Sequence, residues 1–455
     1  MTIFVVLWAC TLPAPPTVIS PTVSALPPTT PAGSSAATLP LFSPLSTAML
    51  PLSPPPTAVL PVSPLSTPAA PPVTSTPLPL PLVQTFFPLV FGSLVTPTPT
   101  PPPPPPTATP LPPPAPKPGF GIQIDPNTTD LSQVLRWVQG MGLGWIKVQV
   151  QWHIIEQRPL EYRWVELDGL VKLSNDFDFK LLISVVNAPG WLRSGSGATG
   201  PPYNPAEFGR FMGALAARYA GQVAAYEMWN EPNLSREWYG ETLSAEAYVK
   251  LLAAGSQAVR QADPQAIIIS AAPAVTGIDD GVTAIDDRRF LREMLAAGAA
   301  QWVDGIGVHP YGYGNPPWER AADAVHDASG WNEHPSFFFL DTLEDYHAIL
   351  EGAGVTLPLW PTEFGWPSTE GIRSANLPSD FAYPYAAWIT EQEQADYLIA
   401  ASRLIAERPW IGPCFVWNLN TAVVWGSDRP EATFSLLRTD SAYRKAYIAL
   451  RLHQP

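Results

Sequence analysis

No residue before Lys117 carries a charge of either sign. Of the chain's 58 prolines, 36 lie before Gly119. Proline fixes φ and removes a backbone donor, which excludes regular helices and central strands there. Residues 11–118 are therefore expected to form a long disordered, partly polyproline-II, Pro/Thr/Ser-rich linker. Cysteine is almost missing too, with only Cys10 and Cys414 in 455 residues. That excludes a disulfide framework and a cysteine zinc site. Cys414 lies in the apolar run Pro413-Cys414-Phe415-Val416 and reads as a buried thiol. Basic residues are scarce: 25 Lys and Arg against 39 Asp and Glu leave a net charge of −14. Such a chain lacks the basic face that nucleic acid requires. The acidity argues more weakly against polyanionic sugars, and it also serves solubility.

Long apolar runs are absent as well. Thr2–Ala9 is short and no Lys or Arg precedes it, so the basic region of a signal peptide is missing. Leu7-Trp8-Ala9-Cys10 nevertheless resembles a bacterial lipoprotein box. Residues 1–10 thus read as an apolar signal-like or lipobox-like start. Membrane attachment through a lipidated Cys10 and a chance apolar start both stay open. Leu78–Val95 is broken by Pro79, Pro81 and Pro88 and is not expected to span a membrane. No HExxH, histidine cluster, GxGxxG or P-loop occurs, so no metal or cofactor is expected. The acidic piece around Asp279, Asp280, Asp286 and Asp287 reads as a solvated loop.

From Gly119 onward the pattern changes. Short β-rich apolar runs alternate with amphipathic helical stretches, the mark of parallel βαβ units. The expected strands are Phe120–Asp125, Trp145–Trp152, Lys180–Asn187, Val223–Asn230, Ala266–Ala271, Gly305–Pro310, Leu359–Phe364 and Cys414–Asn418. The clearest helices are Leu131–Gly140, Pro205–Tyr219, Ala245–Ala262 and Glu391–Glu407. Asn204-Pro205 with Glu207, and Thr390 with Glu393, read as helix starts with a reciprocal N3 carboxylate. Eight strand–helix units in residues 119–455 fit an α/β fold, the (β/α)8 TIM barrel. A doubly wound sheet would want a glycine-rich phosphate turn after the first strand, and Asp125-Pro126-Asn127 is not one. The long insertions, Gly190–Tyr203, Tyr311–Asp341 and Pro367–Trp388, all follow strands, on the face where such barrels build their sites.

Two strand ends carry paired chemistry. The fourth reads Tyr226-Glu227-Met228-Trp229-Asn230-Glu231-Pro232-Asn233, and the seventh Trp360-Pro361-Thr362-Glu363-Phe364-Gly365-Trp366-Pro367. Two carboxyl groups facing each other across a barrel mouth can cleave a glycosidic bond, one as acid/base and one as nucleophile. Glu227 lies inside its strand and reads as structural. At these positions the sequence resembles the retaining glycosidases of clan A, families 39 and 5 in particular; the GWPS string is also similar to family 17 glucanases. The resemblance implies that Glu231 is the acid/base and Glu363 the nucleophile. It implies that Asn230 meets the 2-hydroxyl of the reacting sugar. His309 would bind substrate, Tyr311 would hold the nucleophile ionised, and Trp417 would stack under the sugar. Trp152, followed by Glu156, and Asn187 and Trp191 after the third strand, are weaker sugar-subsite candidates. Family 5 has an arginine in the second strand that supports the nucleophile. Here Lys147 stands at that place, sharing a face with Gln149 and Gln151, and cannot make arginine's forked contact.

The resulting expectation is a monomeric, exported glycoside hydrolase, extracellular or at a cell surface, whose partner is a carbohydrate. The alternative is a catalytically weak or inactive carbohydrate-binding barrel at the cell surface. An interaction protein built around the linker would not need polar groups at strands four, six and seven. The sugar, the linkage and endo or exo action are not legible.

Overall fold

The computed structural model describes residues 119–194, 199–325, 331–378 and 381–452. The expectations for residues 1–10, Cys10 included, and for the linker 11–118 lie outside the described residues. Among the described residues, eight strands line a ring: β1 (Phe120–Gln123), β2 (Trp145–Gln151), β3 (Lys180–Val186), β4 (Ala225–Met228), β5 (Ile267–Ser270), β6 (Ile306–Val308), β7 (Leu359–Pro361) and β8 (Cys414–Val416). A helix follows each in turn: α1 (Leu131–Gly140), α2 (Val165–Asp176), α3 (Pro205–Arg218), α4 (Ala245–Ala262), α5 (Asp287–Ala296), α6 (Phe339–Gly352), α7 (Glu391–Ala406) and α8 (Lys445–Leu452). The strands pair in parallel in the order β8-β1-β2-β3-β4-β5, with β6 beside β7. Single bridges, Ile269 to Gly305 and Phe364 to Val416, join the two sheets and close the barrel.

Every strand begins within two residues of its expected start, but each stops one to three residues short of its expected end. At β3 and β4 the reason is backbone geometry at the mouth. Asn187, Trp229 and Glu231 have φ of 56°, 85° and 43°, in the left-handed region where an extended ladder cannot continue. Trp229 and Glu231 are held there by Trp229 Nε1 donating to the Glu237 carbonyl (3.2 Å) and Glu231 N donating to the Ala272 carbonyl (3.1 Å).

Alternation along the strands sorts the side chains. Ile146, Val148, Leu181, Ile183, Tyr226, Met228 and Ile268 point outward and form the large core under the helices. Inside, Trp145, Leu182, Ala225, Ile269, Trp360 and Phe415 form a separate apolar floor. Trp145 meets Trp360 and Phe415 edge-on, with centroids 5.6 and 6.0 Å apart. The floor is tight enough to dictate Gly121, where a Cβ would come within 2.7 Å of the Trp145 Cβ.

The helix starts follow the sequence in part. Thr390 and Glu393 form the full reciprocal box, at 3.1 Å and 2.8 Å. Asn204 does accept from Ala206 N (3.1 Å), with Pro205 at the first helical position. Glu207, however, turns to Arg210 Nε (2.8 Å) rather than back to the cap, because the guanidinium one turn away is the stronger donor.

Candidate active site

The barrel mouth is polar where the floor is apolar. Two residues above Trp145, the fully buried Lys147 places Nζ 3.1 Å from Glu363 Oε1 and 3.1 Å from Glu227 Oε2. Burial opposes an ammonium charge here, but the two carboxylates outweigh it and raise the Lys147 pKa above its ordinary range. Glu227 is buried beneath the mouth as the second partner of Lys147, in keeping with a structural role.

Glu363 collects donors on both oxygens. Tyr311 Oη donates to Oε2 at 2.9 Å. The Gln123 amide, oriented so that both its ends are satisfied, donates to Oε1 at 2.9 Å and accepts from Trp417 Nε1 at 3.2 Å. Burial, then the charges of Glu363 and Glu231, push the Tyr311 phenol well above its usual range, so it remains a donor. Trp417 is nearly buried and meets Tyr311, Tyr383 and Phe434 edge-on, at centroid distances of 6.0, 6.4 and 4.8 Å.

Glu231 has a different shell. His309 Nδ1 lies 3.2 Å from its Oε1, and Arg236 Nη2 lies 3.0 Å from its Oε2. Burial would raise this carboxyl, but the His309 hydrogen bond and the Arg236 charge outweigh it and hold it down at about 2. In a neutral imidazole the carboxylate takes the Nδ1 proton, and Nε2 is then an acceptor. That Nε2 and Asn230 Oδ1 are both buried with no hydrogen-bond partner among the described residues. Buried polar atoms without partners are uncommon, and here two acceptors flank the carboxylates.

The structure thus brings together Glu231, Glu363, Asn230, His309, Tyr311 and Trp417. Two expected residues serve the framework instead. Trp152 has no exposed surface; its indole N–H donates to Glu156 Oε2 (2.7 Å) and its ring stacks on Phe211 at 5.0 Å, so it packs under helix α3 and lines no sugar subsite. Asn187 spends its amide inside the protein, donating to Gln151 Oε1 (2.6 Å) and accepting from Gly200 N (3.4 Å), which fixes the loop after β3. Trp191 stands on that loop with its ring partly exposed.

Sequence reasoning did not single out four polar residues here. Gln123 lies on β1, two residues from Gly121, and alternation alone could have pointed to it. Arg236 sits in the loop after Glu231, with no spacing rule to mark it. Asp125, two residues past β1, is pushed up to about 6 by burial, against hydrogen bonds from Asn127 and Trp425. Glu431, in the turn Pro430–Phe434, is pushed up to about 7 by burial, against the charges of Arg429 and Arg236.

Comparison with known proteins follows the same lines. The family model for cellulase (glycosyl hydrolase family 5) matches residues 118–335. No curated protein matches the chain. A family 39 glycoside hydrolase from the gut symbiont Bacteroides cellulosilyticus WH2 superposes with a TM-score of 0.55 at 22% identity, over 74% of this chain and 63% of that one. A glucosidase from Croceicoccus marinus gives 0.52 at 13% identity, over 74% and 67% of the two chains. A GH5_18 protein from Streptomyces cattleya, solved in complex with GlcNAc, gives 0.52 at 15%, over 74% and 80%. The chain therefore spans less than two thirds of the family 39 structure's length. The likeness throughout is to clan A, cellulase-like glycosidases with the TIM-barrel fold.

Proposed function

We propose that this chain hydrolyses β-linked glycosidic bonds with retention of configuration, Glu363 acting as nucleophile and Glu231 as acid/base. One observation carries the reading. His309 and Tyr311, with ring centroids 6.0 Å apart, each bond a different carboxylate, so the two acids share one site with separate shells. Retention needs two carboxyl groups about 5–5.5 Å apart, on either side of the anomeric carbon.

In the first half-reaction a Glu363 oxygen attacks the anomeric carbon while the bond to the leaving oxygen breaks. Glu231 gives that oxygen its proton. In the second half-reaction water attacks the same carbon, Glu231 takes the water's proton, and the ester bond to Glu363 breaks. Lys147, Tyr311 and Gln123 aim three donors at Glu363. They occupy both of its oxygens and fix its orientation toward the sugar. Asn230 Oδ1 and His309 Nε2 are acceptors awaiting hydroxyl donors, and Trp417 offers ring surface for the apolar face of a pyranose. The family 5 match supports the reaction class.

The uncharged, proline-rich segment supports a further proposal. The enzyme works outside the cell or at its surface. The test is a screen of the protein on aryl β-glycosides and β-linked polysaccharides, followed by NMR of the first product released. A β-configured hemiacetal is expected; an α-configured first product, or no turnover on any β-glycoside, contradicts the reading.

A further inference from the structure

Glu231 presents two oxygens, and both are occupied. Oε1 is bound by His309, which is completely buried. Oε2 is bound by Arg236, whose side chain is 49% exposed. The leaving oxygen of a substrate must come within hydrogen-bond distance of one of them. His309 has no exposed surface and no solvent to move into. The oxygen left for the leaving group is therefore Oε2, where a guanidinium now sits. A guanidinium has only donors, and a protonated Oε2 accepts from it far more weakly than a carboxylate does, so Arg236 loses most of its hold when Glu231 carries a proton aimed at the leaving oxygen.

We propose that Arg236 is a removable cap on Glu231: it holds the acid/base carboxyl ionised in the resting enzyme and gives way when a hydroxyl-rich aglycone enters. The proposal rests on the assignment of Glu231 as acid/base. It deepens that reading by naming the leaving-group half of the substrate as a sugar rather than a flat aryl group. Sugar hydroxyls can accept the guanidinium's hydrogen bonds once it leaves Oε2; an apolar ring cannot.

The surroundings fit a swing of the side chain with the backbone fixed. The Arg236 carbonyl accepts from Thr199 Oγ1 (2.5 Å), and Glu231 and Leu234 are bonded within the same turn (3.1 Å). Glu237 Oε1, 3.7 Å from Arg236 Nε, keeps a carboxylate beside the guanidinium. Among the described residues, His309, Tyr311 and Tyr313, which follow β6, also face Glu231. Glu363 reaches it through Tyr311, and Glu431 acts on Arg236 from the turn after β8. Arg236 is the cation among them that is both in contact and half-exposed. Its charge suits the second half-reaction, in which Glu231 must be a base, and opposes the first, in which Glu231 must carry a proton.

The sign of the pH effect follows. Removing a cation from a carboxylate raises the carboxyl pKa, so the proton needed for the first step persists to higher pH. The test is the pH profile of kcat/KM for the unaltered protein, Arg236→Met, Arg236→Lys and Glu231→Gln. Each is run on a β-linked oligosaccharide that the enzyme cleaves and on the dinitrophenyl glycoside of the same sugar. With Arg236→Met the basic limb on the oligosaccharide should move up by about one pH unit or more, the scale of an adjacent arginine's effect. Arg236→Lys should stay near the unaltered protein. The dinitrophenyl glycoside, whose leaving group needs no proton, should show no basic limb from Glu231 in any variant. A limb for Arg236→Met that coincides with the unaltered protein overturns the cap. So does an equal shift on both substrates. Glu231→Gln separates the two levels: it should lose the limb and most oligosaccharide turnover. If it keeps both, the assignment of Glu231 itself has failed, whatever Arg236 does.

Discussion

On β2 the side chain of Trp145 fills the floor of the barrel, and two residues later Lys147 stands in the polar layer above it. The same step turns Ala225 into Glu227 on β4, Gly121 into Gln123 on β1, and Phe415 on β8 into Trp417 just past its end. The floor is rings and aliphatic chains in van der Waals contact, which exclude water from below. The mouth is a linked set of charges: Glu227, Lys147, Glu363, Tyr311 and Gln123. The difference teaches a division of labour within one set of strands. A shape-filling layer makes the layer above it dry, and dryness makes each hydrogen bond to Glu363 count for more. It also makes each unpaired charge there costly.

Breaking the pairing at the polar layer should therefore have the largest effect. Lys147→Met leaves Glu227 and Glu363 buried without their shared cation. It should cost about 3–5 kcal/mol of stability in urea unfolding and also slow formation of the glycosyl-enzyme. A variant as stable as the parent would mean that the two carboxylates are better hydrated than their burial implies. Trp360→Ala probes the floor alone. It should cost about 3–5 kcal/mol in the same measurement, while kcat on a soluble substrate at a temperature where the variant stays folded changes little. Loss of kcat in the folded variant would show that floor and mouth are not separable. Tyr311→Phe is the mildest change, removing one hydrogen bond to a charged group. A loss of about 1.5–3 kcal/mol of transition-state stabilisation is expected, read as lower kcat/KM, with a smaller fall in melting temperature than for either variant above.

The two layers were also unequally legible in the sequence. The barrel could be read because β-rich runs and helical periods alternate, and the strands begin where those runs begin. Their ends could not be read, because positive φ at Asn187, Trp229 and Glu231 is set by tertiary contacts and not by residue type. Glu231 and Glu363 stood out because each sits in a distinctive string at a strand end. Trp152 misled for the opposite reason. A tryptophan at a strand end looks like a sugar platform until Phe211 and Glu156 are seen to claim its face and its N–H. Lys147 was placed on the right face, but only the folded structure links it to Glu227 and Glu363 together. Arg236 was illegible: its contact depends on how the loop after β4 folds back on the residue that opens it.

The contrast between the two acids' shells is the centre of the account, and azide tests it most directly. Replacing Glu231 with Ala leaves Glu363 able to attack a dinitrophenyl glycoside, and azide, which needs no general base, should then capture the intermediate as the β-glycosyl azide. Replacing Glu363 with Ala removes the attacking group, and azide should enter from the opposite face to give the α-azide. Products of opposite configuration from the two variants are the predicted result. The same configuration from both, or full hydrolytic activity in either, would contradict the assignment of Glu363 as nucleophile and Glu231 as acid/base.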